Sequence, residues 1–267
     1  MNFFFFAILA ILLIEYALDL LANLLNMKAL KPYAPTDLQD VYKPYDYKRS
    51  QQYTRVQTLF GLTTGTFKLG LLLVFWFVGG FNSLDQMVRN WGYGEIVNGL
   101  LYIGILLICY TLITIPFSLY TTFVIEERFG FNKTSLRTFV LDQFKGLILL
   151  TVLGGPLLTG VLAFFEYSGA LAWLTCWVTA IFFILALQFI APTWVMPLFN
   201  KLTPMDPSEL REAIYKYARS VNFKVGDILV MDGSKRTSKA NAFFTGLGRN
   251  KRIILFDTLI KNHTVPE

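Results

Sequence analysis

The chain contains five long apolar stretches, each of which could cross a lipid bilayer. A helix needs about 20 apolar residues to span the ~30 Å hydrocarbon core. Because hydrocarbon cannot satisfy free backbone polar groups, such stretches must fold as helices. With a hydrophobic content of 54%, they indicate a membrane protein and not an ordinary soluble domain. The stretches are residues 3–25, 59–79, 96–124, 147–165 and 170–191.

The composition changes after residue 191, where prolines become frequent and the chain becomes polar. Asp206 and Pro207 have the residue types of a helix start, with Asp206 as the expected N-cap. Two short β-like runs follow, at residues 227–231 and 252–256. We therefore expect an all-α polytopic membrane protein with about five transmembrane helices and a small C-terminal α+β segment.

We place the domain boundary of this architecture between residues 199 and 200. Residues 1–199 form the predicted transmembrane helical domain. Residues 200–267 form the beginning of a soluble domain, and about 70 residues of this kind are marginal as an independent fold. We therefore expect that this second domain is incomplete.

The net charge of +6 follows the predicted topology and does not indicate nucleic-acid binding. Lys and Arg number six in residues 26–58, one in 80–95, four in 125–146 and twelve after 191. Basic loops remain on the cytoplasmic side of a membrane. The pattern predicts an external N-terminus and a cytoplasmic C-terminus, with the lipid bilayer as the partner of the basic loops.

Three ionisable side chains, Glu15, Asp19 and Lys68, lie inside predicted spans. Charges in hydrocarbon are costly and usually pair or face a water-filled cavity. Glu15 and Asp19 share one helix face, and their estimated depth matches that of Lys68. We expect an intramembrane ion pair between Lys68 and one of the two carboxylates, while a water-filled cavity lined by them remains the alternative.

Three ordered blocks of sequence resemble the integral-membrane CAAX prenyl proteases. The first reads EERFGFNKTS, the second APTWVMPLFNK and the third DGSKRTSKANAFFTGLGRNKRIILFDTL. They occupy residues 126–135, 191–201 and 232–259. The resemblance implies a helical bundle around a large water-filled chamber. It also implies a zinc metalloendopeptidase that cleaves peptide bonds near the C-terminus of prenylated or other membrane-associated substrates.

The zinc motif of that family, His-Glu-x-x-His, does not occur in this sequence. In a complete family member zinc polarises the scissile carbonyl and activates water, with the motif Glu as general base. Here His263 is the only histidine, and a lone histidine is a poor metal ligand. We therefore expect an N-terminal portion that binds no zinc alone, is inactive as an isolated chain and lacks its C-terminal catalytic segment as a partner.

Two other functions stay open at this point. The first is a non-catalytic membrane scaffold or split-gene partner of a separate catalytic chain. The second is a small transporter or lipid-binding bundle, although transporters usually carry repeat symmetry and this chain has none.

The resemblance also assigns substrate contacts to the third block. The matching segment in the family is an edge strand to which the peptide substrate adds as a further strand. The alternative is a plain hairpin with Gly246 and Gly248 at its turn. Lys239 stands where the family more often has a histidine or a small polar residue, and its role stays open. The substrate-binding residues implied are Asn241, Ala242, Phe243 and Phe244.

Overall fold

The computed structural model describes residues 2–40, 42–246 and 251–265, so Gly248 lies outside the described residues. The longer helices are α1 (Phe3–Ala29), α2 (Pro44–Phe77), α3 (Gly80–Arg89), α4 (Glu95–Tyr120), α5 (Leu136–Leu149), α6 (Gly155–Tyr167) and α7 (Ala172–Ile190). They are followed by α8 (Met196–Phe199), β1 (Leu202–Pro204), α9 (Glu209–Ser220), β2 (Asp227–Met231), β3 (Ala242–Thr245), β4 (Arg252–Phe256) and α10 (Asp257–Asn262).

Four helical stretches are long and apolar enough to cross a membrane, within the ranges that the structure describes. They are Phe3–Ala29, Pro44–Phe77, Glu95–Glu126 and Leu136–Tyr167. A fifth span results if Ala172–Gln188 and Ala191–Phe199, which meet at 44°, are counted together. The predicted class, a helical multi-pass membrane protein with a small C-terminal α+β segment, is confirmed.

Short π-helical turns continue three of these helices. They are Thr121–Glu126 after α4, Leu150–Gly154 between α5 and α6, and Ala191–Val195 after α7. A π-turn adds a residue to the helical turn and shifts the side chains that follow to another face. Because each π-turn follows an α-helix directly, the chain stays helical past the ends of α4, α5 and α7.

The first of two compact units comprises residues 1–87 and 110–129. Helices α1 and α2 pack antiparallel, since the Phe5 ring lies 4.7 Å from the Trp76 ring and the Tyr16 hydroxyl lies 2.6 Å from Thr66 Oγ1. On another side of α2, the Phe60 ring stacks on the Tyr120 ring at 4.8 Å. Aromatic contacts thus hold α2 between two neighbours.

The second unit comprises residues 88–109 and 130–267. Its four-stranded sheet has the order β1-β2-β4-β3, in which β2 and β4 are parallel and the outer pairs are antiparallel. Met205, Ile228 and Leu255 are buried between this sheet and the helices beside it, with Leu210 and Ile214 of α9 packed against them. Burial of these apolar side chains supplies the main stabilising free energy of this small layer.

The start of α9 differs from the sequence prediction. The N-cap is Ser208 and not Asp206, because the Ser208 hydroxyl accepts a hydrogen bond from the Arg211 amide at 3.3 Å. A cap must accept from the second or third amide of the helix that it begins. Since the helix begins at Glu209, only Ser208 is in that position.

Candidate functional site

The loop between β2 and β3, residues 232–241, is held by contacts with both other resemblance blocks. At its beginning, Asp232 Oδ1 accepts hydrogen bonds from the Lys201 amide at 2.7 Å and from Asn200 Nδ2 at 3.1 Å. In its middle, the Arg236 carbonyl accepts from the Lys133 amide at 3.0 Å and from Thr134 Oγ1 at 3.1 Å. Segments far apart in the sequence therefore meet at this loop.

A second set of contacts lies two residues further along the loop. The Ser238 amide donates to the Phe131 carbonyl at 3.0 Å, and Ser238 Oγ donates to the Gly130 carbonyl at 2.8 Å. Lys239, whose role the sequence left open, lies with its Nζ 4.7 Å from the centroid of the Phe131 ring. The ring face attracts the ammonium group, so Lys239 contributes to the same junction.

Arg236 also forms a two-pronged ion pair with Asp142 of α5. The Nε–Oδ2 distance is 2.8 Å and the Nη2–Oδ1 distance is 3.0 Å, with about a fifth of each side chain exposed. Planar pairing of this kind is stronger and more specific than a single contact. Sequence reasoning missed it because the two residues are far apart, although Arg236 belongs to the third block.

Asp257 fixes the loop from the other side. Its Oδ1 accepts from the Ser234 amide at 2.8 Å and from the Thr258 amide at 2.9 Å, while the Ser234 hydroxyl donates to Oδ2. Thr258 Oγ1 in turn donates to the Lys239 carbonyl at 2.9 Å. These hydrogen bonds therefore fix the position at which the chain enters β3.

Strand β3 lies at the end of the sheet, and no strand pairs with its outer edge in the part of the chain that is described. The Phe256 amide donates to the Asn241 carbonyl at 2.9 Å, so Asn241 and Phe256 are a hydrogen-bonded pair. Such pairs alternate along an antiparallel ladder. The polar backbone groups of Ala242 and Phe244 therefore point away from β4, towards the open edge.

The side chains of this edge are accessible. Phe244 is 70% exposed, and Asn241 and Ala242 are exposed as well. The Ala242 amide is occupied by its neighbour, because Asn241 Oδ1 accepts from it at 2.9 Å. The outward groups left for another peptide are the Ala242 carbonyl and both polar groups of Phe244.

The opposite edge of the sheet, formed by β1, differs from β3 in the backbone groups that face outward. The Met205 amide donates to the Ile228 carbonyl at 2.9 Å, so Thr203 also faces β2 and Pro204 faces outward. Proline has no amide hydrogen and is tolerated at such outward positions. The outer edge of β1 therefore lacks a donor where β3 offers one.

Glu15, Asp19 and Lys68 are not brought together as the sequence predicted. Lys68 Nζ lies 5.4 Å from the centroid of the Tyr110 ring, and it forms no ion pair with either carboxylate in the described ranges. The reason is helix geometry. Thr66 faces α1 through Tyr16, and a residue two positions on lies about 200° further around the helix. Lys68 therefore points towards α4 instead of α1.

The described residues of this chain do not fit a zinc ion. A catalytic zinc takes three protein ligands and keeps an open position. Over residues 2–40, 42–246 and 251–265, no group of three His, Cys, Asp or Glu side chains is arranged to hold a metal. His263 is exposed, and its Nδ1 lies 3.3 Å from the Leu259 carbonyl.

The chain matches two family profiles in succession. Residues 23–201 match the profile described as CAAX prenyl protease N-terminal, five membrane helices. Residues 204–267 match the profile of peptidase family M48. The two profiles meet where the chain passes from its last apolar helix to its first strand.

Two similar fungal proteins agree with these profiles. The probable CAAX prenyl protease 1 of Schizosaccharomyces pombe is 36% identical over 255 residues, covering 89% of this chain and 53% of the relative. The CAAX prenyl protease 1 of Saccharomyces cerevisiae is 34% identical over 245 residues, covering 87% and 54%. The chain thus spans about half the length of these relatives.

A solved structure agrees as well. The crystal structure of S. mikatae Ste24p has a TM-score of 0.87 to this chain, with 32% sequence identity. The match covers 95% of this chain and 61% of the other.

Proposed function

Because the chain belongs to the CAAX prenyl protease family of M48 peptidases, we propose that it forms the membrane and substrate-binding portion of a zinc metalloendopeptidase. Its substrates are membrane-associated proteins with a prenylated C-terminus, and the bond cleaved lies near that C-terminus. The names of the matched relatives support this substrate class.

The observation that carries this proposal is the open edge of β3. An extended peptide that adds to this edge gains main-chain hydrogen bonds, which do not depend on its side chains. In our proposal, Ala242 and Phe244 supply these bonds, Asn241 orients the Ala242 amide, and Phe243 holds the strand against β4 through its hydrogen-bonded pairing with Ile254.

Zinc chemistry is assigned to a His-Glu-x-x-His segment that these 267 residues do not contain. We therefore propose that this chain alone binds no zinc and hydrolyses no peptide, and that it acts together with such a segment. The absence of this motif from the 267 residues also supports an alternative function, in which the chain is a non-catalytic scaffold or a partner of a separate catalytic chain.

The orientation and domain boundary predicted from the sequence belong to the same proposal. The N-terminus lies outside and the C-terminus in the cytoplasm, as the basic loops favour. Residues 1–199 form the membrane domain and residues 200–267 contribute to the peptidase domain. The change of family profile between residues 201 and 204 supports this boundary.

Substitution of Phe244 by proline tests the role of the edge. Phe244→Pro removes an outward amide without removing a bond to β4, whereas Phe244→Leu keeps the amide. A farnesylated peptide that ends in Cys-aliphatic-aliphatic-X, titrated onto the reconstituted chain, should bind about three- to tenfold more weakly to the proline variant, as expected for one lost hydrogen bond. Equal affinity of wild type and Phe244→Pro would overturn the proposal.

Metal analysis separates the two functions. The purified chain should contain no stoichiometric zinc and should leave the farnesylated peptide intact. A chain that supports cleavage when mixed with a separately produced zinc-binding segment is a peptidase component. A chain that binds the peptide but never supports cleavage is a scaffold.

A further inference from the structure

A cavity beside the first turns of α2 is lined by basic side chains, and the proposed peptidase function does not use it. Its volume is about 520 Å³, which is within the size range of ligand sites. The lining contains four cationic side chains and no carboxylate. The residues are Tyr45, Lys48, Arg49, Gln52, Arg55, Val56, Arg128 and Phe129, and we call this site the basic cavity.

The helical repeat explains how α2 presents so many of these side chains together. Tyr45, Lys48 and Gln52 recur at intervals of three and four residues, which is the spacing of one helix face. Arg49, Arg55 and Val56 follow the same face. One stripe of α2 therefore forms one wall, and the loop after the π-turn at Thr121–Glu126 supplies the other.

The two walls are fixed to each other by one of the lining cations, Arg49, and by Tyr53. Arg49 Nη2 donates to the Phe129 carbonyl at 2.7 Å, and the Tyr53 hydroxyl donates to Glu126. The Tyr53 ring also packs edge-on against the Phe129 ring at 5.2 Å. The cavity is therefore a built feature of the first unit and does not depend on chance side-chain positions.

The remaining cations form no ion pair within the described ranges. They are Lys48, Arg55 and Arg128, and all three are exposed. Glu126 of the neighbouring loop accepts a hydrogen bond from the Tyr53 hydroxyl, and Glu127, which precedes Arg128, is not among the lining residues. Cations that converge without a carboxylate favour an anionic ligand, and the guanidinium group matches phosphate oxygens especially well.

The position along α2 indicates the level of the membrane at which this ligand would bind. The apolar part of α2 runs from residue 59 to Phe77, and at 1.5 Å per residue it extends about 28 Å, the thickness of the hydrocarbon core. Arg55 lies about one turn before this part. The inner end of the basic cavity, at Arg55, is therefore at the level of the lipid headgroups, and the cavity extends from there towards water.

We propose that the basic cavity binds a phosphate group, carried by the headgroup of an anionic lipid. Basic pockets beside membrane helices are suited to such headgroups, and each cation near the surface strengthens binding about fivefold. A free phosphate compound presents the same chemistry, and the experiment below distinguishes the two sources.

Native mass spectrometry of the full 267-residue chain in detergent provides the test. Dioleoyl phosphatidic acid is the anionic probe and dioleoyl phosphatidylcholine is the zwitterionic comparison with identical tails. We expect one tight site for phosphatidic acid, weakened about 25-fold in the double variant Lys48→Gln/Arg55→Gln. The single variant Arg128→Gln, on the opposite wall, should weaken the same site about fivefold.

A matched control removes the same charge elsewhere. Lys216→Gln/Arg219→Gln lowers the charge by the same amount on the exposed face of α9 and should leave phosphatidic acid binding unchanged. Equal weakening in both double variants, or equal affinity for the two lipids, would overturn the proposal. Displacement of the lipid by inorganic pyrophosphate identifies a soluble phosphate compound as a ligand, whereas retention of the lipid identifies the headgroup.

Discussion

The guanidinium group of Arg236 and the carboxylate of Asp142 form two parallel hydrogen bonds, at 2.8 and 3.0 Å, between a loop of the sheet and helix α5. Arg236 Nη1 is buried and has no hydrogen-bond partner among the described residues. Because the two hydrogen bonds link the loop to α5, the pair helps to fix the position of the loop that leads into β3.

Loss of this pair should destabilise the protein measurably. Asp142→Asn removes the negative charge and one of the two acceptors of the largely buried Arg236, at a cost of about 2 kcal/mol. The Tm of the purified chain should fall by about 4–8 °C. Glu95→Gln is the control, because the Arg89–Glu95 pair is equally short at 2.8 Å but its side chains are 49% and 63% exposed. We expect a change below 2 °C there, and a larger effect at Glu95 than at Asp142 would contradict this explanation.

Removal of the Asp257 carboxylate should loosen the loop without unfolding the sheet. Asp257→Ala eliminates acceptors for Ser234 and Thr258, so local opening of residues 232–241 becomes easier. Trypsin should then cleave after the exposed Lys235 about five to ten times faster than in wild type, since three hydrogen bonds of about 0.5–1.5 kcal/mol each are lost in part.

The control for this loop is Asp227→Ala. Asp227 lies on the same sheet, its side chain is 65% exposed, and its nearest cation, Arg252, is 3.7 Å away. The same change of charge at this position should leave cleavage after Lys235 at the wild-type rate. An equal acceleration in both variants would show that charge, and not the hydrogen bonds of Asp257, controls the loop.

Two glycines of α4 should respond differently to the same substitution. A Cβ at Gly99 lies 2.8 Å from Leu162 Cδ1, whereas a Cβ at Gly104 has no neighbour within 4 Å. Gly99→Val should therefore cost about 1–3 kcal/mol through overpacking, seen as a lower Tm. Gly104→Val should leave the Tm nearly unchanged, and an equal loss at both sites would rule out the close approach of α6.

The position of Lys68 can be tested by double-mutant cycles. Its contact with the Tyr110 ring predicts a coupling of about 0.5–1 kcal/mol between Lys68→Met and Tyr110→Leu. Coupling of Lys68→Met with Glu15→Gln or Asp19→Asn should be near zero. Thermal unfolding of the single and double variants measures these values. A strong coupling with either carboxylate would restore the ion pair that the sequence suggested.

The apolar spans and the two parallel strands could be predicted from the sequence, because each is a continuous run of mainly apolar residues. Asp227–Met231 and Arg252–Phe256 are strands with the predicted bounds, since β-branched and apolar residues dominate both. Strand β3 was expected only from the family resemblance, as an edge strand over residues 241–244, and strand β1 was not predicted at all. Leu202–Pro204 is too short to show a pattern, and pairing across the sheet decides its conformation.

Contacts between distant side chains were harder to predict. Towards the end of α9, Tyr217 and Val221 lie at helical spacing from Leu210 and Ile214, which predicts that they are buried as well. They are instead 70% and 53% exposed, whereas Leu210 and Ile214 pack against the core of the sheet. Depth along a span was a poor guide for Lys68, since two side chains at equal depth can point in opposite directions around a helix.

The two edges of the sheet, one interrupted by Pro204 and the other open at Phe244, limit how far strand addition can proceed. A peptide adds more readily to the open edge, because at the far edge Pro204 lacks the amide hydrogen that a further strand would use. Two copies that met through their open edges would close into a pair and stop growing. The described sheet therefore favours strand addition at β3 over β1, which works against open-ended growth into fibres.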